Sequence, residues 1–475
     1  MKCVRSLSAL VVAMAAFASV AAQTRQDPVP AEDRAKAEPP ALAWFQKNVS
    51  PFASDVPSSS EIKAFVEKLG DARLFGLGEP THGDHQSQLF KNHAIRELVR
   101  QGKIDSLMLE INRTPGAEID AYVNEGKGDL VKLMLDSGIF SIWRTDDFAN
   151  MILWLRAHVI RTGKPFRIYG IDCQETGIDF RDALDYLAKH DPEVAKKLRS
   201  PLQPIITAED SPLTFVAWWK SQPEANYALY EKAALDLLAA LKAHKESGKA
   251  DEGFDEALYA ANAGLQGLRA FEFEIGPNEM DMTKIPGDYF SRRDVSMAQN
   301  TVARIGTERR AALWAHDMHV IAEIPQFIYD MGLRTVGSEL RRALGAKYVS
   351  VGFAWTVGSF HAKEFKPGDS IAEAQLRPVI EHELSCDLPG DLGEFLSRVG
   401  PERFWVDLRD ADEATKAWGA LPYYRGWAGW GMSEELWHKN PMSDAVTLIP
   451  TFDFLVYTKR ISPSTTFKLP AKAGS

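Results

Sequence analysis

Cysteine is scarce in this 475-residue chain: it has three, and Cys3 lies in an apolar N-terminal stretch, so Cys173 and Cys386 are left for the folded part. One bridge and two free thiols are equal readings of that pair, and either excludes a small domain stapled by disulfides. Clustered basic residues are missing too. The chain has 55 Lys and Arg against 65 Asp and Glu, a formal net charge of −10, and without a cationic face to neutralise phosphates a duplex-binding role is excluded. Beyond the N-terminus no apolar run reaches the roughly 18 residues a membrane span needs. Absent motifs narrow the chemistry further. There is no G-x-S-x-G nucleophile elbow, no H-E-x-x-H and no Walker loop. Gly76-Leu77-Gly78 runs into Glu79-Pro80-Thr81, which puts a charge and a rigid ring where a pyrophosphate would lie and leaves no nicotinamide site. Disorder is excluded by an ordinary globular composition, 45% apolar and 25% charged.

The N-terminus, MKCVRSLSALVVAMAAFASVAAQ, has two early cations, an apolar run and small residues at Val20 and Ala22. It reads as a cleavable signal peptide over residues 1–22, which makes the periplasm or the exterior the expected location. Residues 23–40, rich in Pro, Ala and charge, read as a flexible tether. A single domain is expected over 41–465. In it, short apolar runs (72–79, 106–111, 166–172, 311–319, 348–355, 403–408 and 452–460) alternate with helical patterns such as 86–101, 147–162 and 291–306. Apolar strands alternating with amphipathic helices predict an α/β fold with a mostly parallel sheet flanked by helices. Residues 190–280 break the rhythm. Tyr227, Tyr230, Ala234, Leu237 and Leu241, then Leu258, Ala261, Leu265 and Leu268, recur at helical spacing on either side of KESGKADEG, which predicts an inserted antiparallel helical hairpin placed to overhang a site.

Chemistry collects where the strands end. The first run leads into Glu79 and His82, the second carries Glu110, the third ends at Asp172 and the fourth at His316-Asp317-Met318-His319. In an open parallel sheet the carboxyl ends share one edge, where ligands bind. Each residue alone has a bland reading, as a cap, a loop salt bridge or a hydrogen-bonded core histidine. Four strands ending this way point instead to a site, because burying several titratable groups is costly unless they are paired or used. His158, His190, His244, His361, His382 and His438 keep the bland reading. The H-x-x-H pairs His82/His85 and His316/His319, with Glu110, could also ligate zinc or iron.

Several of these segments together carry a resemblance. GEPTHGDHQSQLFKNHAIRELV followed by SLMLEI, then SIWRTDDFANMILWLRAH, RIYGIDCQ, YFSRRDVSMAQN, ALWAHDMHV and FDFLVYTKR resemble, in order, the erythromycin esterase family. The resemblance implies ester hydrolysis without a serine nucleophile, in the best-known members of a macrolide lactone as a route to antibiotic resistance. It implies His82 as the general base, Glu110 orienting the water, Glu79 fixing the His82 tautomer, and His316 and His319 holding the substrate oxygen, stabilising the oxyanion or protonating the leaving group. Lys91, Asp172 and His85 are expected to contact substrate. The chain departs from the family pattern at Gln86, often Glu, at Lys91, often Arg, and at Asp317, usually Asn, whose charge is expected to raise the pKa of His316. The expectation is an exported hydrolase of a small-molecule ester or lactone, without cofactor. The alternatives are a metal-dependent hydrolase on the same cluster and a non-catalytic ligand-binding protein.

Overall fold

The computed structural model describes residues 28–467 apart from 137, 209–217, 220, 271–287, 289–290, 331, 367–368, 370–372, 374–375 and 440–444. The expected signal peptide and the first part of the tether lie outside the described residues. Among the described residues ten strands form one sheet: β1 (Ser50–Pro51), β2 (Leu74–Leu77), β3 (Ser106–Asn112), β4 (Arg167–Asp172), β5 (Ala311–Trp314), β6 (Tyr348–Glu364), β7 (Val379–Ser385), β8 (Arg403–Asp407), β9 (Gly431–Met432) and β10 (Phe454–Ile461). The order is β1-β8-β10-β6-β2-β5-β3-β4, and every pair from β10 to β4 is parallel, while β8, β1 and the β7 flap on β6 are antiparallel. The α/β expectation therefore holds.

The strands are short and apolar because both faces are covered, and alternate side chains enter opposite cores. Phe75, Leu107, Leu109, Ala312 and Trp314 pack on one face with the helices His85–Arg100 and Asp146–Thr162. Leu74, Met108, Ala311 and Leu313 pack on the other with the helix Arg292–Ile305. Pairing aligns Leu77 with Trp314, Trp314 with Leu109, and Leu109 with Gly170. Residues just past those positions therefore share one edge. The chain leaves β2 for β3, fills the gap later with β5 and then crosses to β6 on the far side of β2. That reversal is a switch point, the place where a parallel sheet opens a crevice.

Two expectations change in extent. The chain from residue 31 to 40 is not tether but the first half of a helix, Ala31–Asn48, that runs through Pro39 and Pro40. Helix-interior prolines remove backbone bonds, and tertiary contacts make up for them. Phe45 is fully buried, edge-on to Phe395 and Trp418, and the Glu38 carboxylate accepts from Tyr423 (2.9 Å) and Arg398 (2.6 Å). The helical insertion begins earlier than residue 190. It has four described helices, Thr176–His190, Pro192–Ala208, Glu224–Glu246 and Phe254–Ala270, around their own core of Phe180, Leu184, Leu202, Leu237 and Leu265. The last two form the antiparallel hairpin, with Arg269 near the end of one paired to Glu231 near the start of the other at 2.7 Å. The hairpin fastens to the β4 edge: the Tyr259 hydroxyl donates to the Gly170 carbonyl at 2.9 Å.

Phe45→Ala is expected to cost about 3–5 kcal/mol, the usual range for emptying a buried aromatic site. Urea unfolding checks it, and a loss under about 1 kcal/mol would mean that the N-terminal helix is detachable.

Candidate active site

The turn after β2 is pinned from several sides. A Cβ on Gly78 would fall 1.9 Å from the Asp317 carboxylate, and one on Gly83 1.9 Å from the His361 carbonyl, so both close approaches require glycine. Within this turn Glu79 accepts from His82 Nδ1 at 2.6 Å, from the Trp314 indole at 2.9 Å and from Lys91 Nζ. Burial alone would raise the Glu79 pKa, but the charge of Lys91 and the His82 hydrogen bond outweigh it and bring the value down to about 2. The Trp143 indole also approaches Nδ1, at 3.2 Å, but the shorter contact to an ionised carboxylate at 2.6 Å favours the His82 tautomer with its proton on Nδ1. Nε2 takes no hydrogen bond from the described residues and is left as the basic nitrogen. Lys91 is fully buried and 4.1 Å from the Trp314 ring centroid, so it holds Glu79 and is not the substrate contact expected from sequence.

Glu110, at the end of β3, is the centre of the second half. One oxygen takes the His316 backbone N–H at 2.8 Å, and the other meets His319 Nε2 at 3.0 Å and Arg293 Nη2 at 3.1 Å. Burial opposes ionisation, yet His319, His82 and Arg293 hold the Glu110 carboxyl well below its ordinary range. Arg293 in turn donates to Asp172 at 3.0 Å through Nε and 2.7 Å through Nη2. Asp172 is completely buried and acts on Arg293, not on substrate. His319 lies between Glu110 and Asp294, which meets Nδ1 at 2.9 Å. Desolvation works against charge there, but the two carboxylates push His319 up to about 10.

His316 has a different task from the one expected. Its Nε2 donates to the Pro80 carbonyl at 3.2 Å, and its Nδ1 accepts the Met318 backbone N–H at 3.3 Å as a helix cap. Desolvation, then the neighbouring histidines, depress its pKa to about 3. It is a neutral clamp whose ring centroid lies 5.2 Å from that of His82. The expected rise from Asp317 does not occur. Asp317 turns away, accepting from the Phe353 N–H (3.1 Å) and the Trp427 indole (3.1 Å), with Arg425 at 3.8 Å. His85 stands apart from the cluster, paired to Asp147 at 2.7 Å, and Gln86 binds Ser462. Cys173 and Cys386 are free buried thiols.

Arg293 and Asp294 were missed as individual residues. They lie on a helix, where no strand end marks them, within the YFSRRDVSMAQN segment that carries part of the resemblance. As metal ligands the cluster is poorly disposed: both nitrogens of His316 are on main chain and both of His319 on carboxylates, and among the described residues no group of three His, Cys, Asp or Glu is placed to hold an ion. What it offers is one free imidazole nitrogen beside fixed cations.

Because the His319 value is raised, its imidazolium contributes to stability fully below the ordinary value near ~6.5, and that contribution is lost as pH climbs through about 10. The His319 ring is expected to remain doubly protonated at about pH 8.5 in NMR spectra; a neutral ring there would remove this cation from the site.

The fold is shared with known proteins. The solved structures it resembles include a structural-genomics protein from Bacillus cereus (TM-score 0.75, 20% identity, covering 90% of this chain and 99% of that one). A succinoglycan biosynthesis protein follows at 0.72 and 17%, covering 91% and 99%. An open-conformation mutant of the erythromycin esterase EreC superposes at 0.67 and 16%, covering 89% and 100%. In sequence the chain is 21% identical to YbfO of Bacillus subtilis (strain 168), provisionally named a hydrolase, over 90% of this chain and 92% of that protein. It is 24% identical to erythromycin esterase type I of Escherichia coli over 27% of this chain and 31% of that protein. The erythromycin esterase family model matches residues 99–461, most of the folded part, and on that match the chain belongs to the erythromycin esterase family.

Proposed function

We propose that the protein hydrolyses a carboxylic ester or lactone with water activated by His82. The observation that carries this reading is the Glu79–His82 contact at 2.6 Å, which leaves Nε2 free and basic within the Glu110 cluster. In the reaction His82 Nε2 takes a proton from water as the oxygen attacks the ester carbonyl. Negative charge builds on the former carbonyl oxygen, where the cations Arg293 and His319 lower its energy. The imidazolium, held by Glu79, then returns its proton to the departing alkoxide, giving one carboxylic acid and one alcohol. Glu110 keeps the two cations and the His316 turn in place.

The surroundings suit a substrate with an apolar portion. Beside Met318 and Trp427, whose ring lies 6.1 Å from that of His316, is a small apolar cleft lined also by Ile321, Ile324, Leu333 and Val446. A macrolide lactone is one such substrate. Export by the N-terminal signal would let the enzyme meet incoming esters outside the cytoplasm.

Incubation with a panel of macrolides, simple lactones and p-nitrophenyl esters, read by mass spectrometry, is expected to show a gain of one water on a lactone or cleavage of an ester. His82→Ala and Glu110→Gln are expected to lower that turnover by about 10²–10⁴-fold while the protein stays folded by circular dichroism. Wild-type rates in either variant would overturn the mechanism. The intact mass of protein from the native host is expected to lack residues 1–22, and full-length protein would contradict export.

A further inference from the structure

A third segment touches both halves of the site. Residues Arg425–Ala428 come late in the chain, between the two-residue strand Tyr423–Tyr424 and β9. The Ala428 N–H donates to the Pro80 carbonyl at 2.9 Å, the same oxygen that accepts from His316 Nε2 at 3.2 Å, and Thr81 and Ala428 form a parallel bridge. Trp427 donates its indole N–H to Asp317 at 3.1 Å and sets its ring against His316. Arg425 is buried between the rings of Trp427 and Phe452, with Asp317 as its facing carboxylate at 3.8 Å. Two of its three guanidinium nitrogens, Nε and Nη1, have no hydrogen-bond partner among the described residues. A fully buried guanidinium with unpaired donors is expensive, so its retention calls for a return elsewhere.

We infer that Trp427 and Arg425 are positioning residues: the Arg425–Ala428 segment straps the Glu79–His82 turn to the His316–Asp317 turn and so sets the distance between His82 and the Glu110 cluster. The reason is geometric. The two turns leave different strands, β2 and β5, and the parallel ladder between those strands pairs residues only as far as Leu77 and Trp314. Past the ladder the turns meet through the Asp317 N–H on the Glu79 carbonyl at 2.9 Å and through the Pro80 carbonyl. The strap occupies the second contact and locks Asp317, whose main chain makes the first. A shift of about 1 Å in such a spacing is enough to cost two orders of magnitude in rate.

This inference rests on the hydrolase reading for its kinetic test but not for its spectroscopic one. Trp427→Phe keeps the ring and deletes only the N–H. It is expected to lower kcat on a short p-nitrophenyl ester about tenfold or more, with KM within twofold, and to add a second tautomer or a displaced ring signal for His316 in long-range ¹H–¹⁵N spectra. Arg425→Met is expected to behave likewise and to be rescued by Asp317→Asn in the double variant, which removes both buried charges and keeps an acceptor for Trp427. Trp427→Phe is not expected to be rescued by Asp317→Asn. An unchanged kcat per folded molecule and an unchanged His316 spectrum in Trp427→Phe would overturn the proposal even if melting falls. If the wild type cleaves no ester at all, the hydrolase reading fails, and the His316 spectrum still decides the strap.

Discussion

Everything at the carboxyl edge depends on a buried carboxylate, Glu110, that is kept ionised by three donors from two separate parts of the chain. An uncompensated charge in that position would cost several kcal/mol. It is compensated by the His316 backbone N–H after β5, by His319 from the same turn and by Arg293 from the helix Arg292–Ile305. Each of these is fixed in turn: Arg293 by Asp172 at the end of β4, and His319 by Asp294. One carboxylate therefore ties β3, β5, β4 and a covering helix into a single polar network, in which the loss of any member leaves another charge unpaired.

The fold supplies the conditions for such a network. Parallel strands flanked by helices leave their carboxyl ends without apolar cover, and the reversal of strand order at β2 and β5 separates the helices just there. The indole rings of Trp143 and Trp314 close the space on one side of His82, with Phe148 edge-on to both. A low-dielectric wall strengthens every charge interaction nearby. Burial and charge are thus the same device seen twice: the aromatic core that stabilises the sheet also makes the polar edge effective.

The edge itself was legible in the sequence, because Glu79, His82, Glu110, Asp172 and His316 each follow an apolar run of strand length. Depth was not. A strand-end position shows which edge a side chain occupies but not how far below the surface it lies, so Lys91 and Asp172 read as substrate contacts and are support buried beneath them. His316 read as an acid or oxyanion donor because its type allows it; only the main-chain partners of both nitrogens reveal a clamp. The helix Ala31–Asn48 was obscured by Pro39 and Pro40, whose local penalty is outweighed by contacts with residues 395–423, a relation no local window contains. The strap at 425–428 has no periodic or titratable signature beyond one arginine.

The two histidines at the heart of the site show how environment divides the work of one residue type. His319 lies between two carboxylates, Glu110 and Asp294, and is held as a cation. His82 hydrogen-bonds to a single carboxylate, Glu79, whose charge Lys91 shares from the other side. The first arrangement produces a fixed positive charge, the second a nitrogen with an oriented lone pair. In the proposed reaction, as water gives its proton to His82, positive charge would grow toward Glu79 and negative charge on the substrate oxygen toward Arg293 and His319. The field already present thus runs along the direction in which charge must separate, and little reorganisation accompanies the step. In that proposed division of roles Lys91, fully buried and paired to Glu79, would take up part of the Glu79 charge and so keep the pair at His82 distinct from the pair at His319.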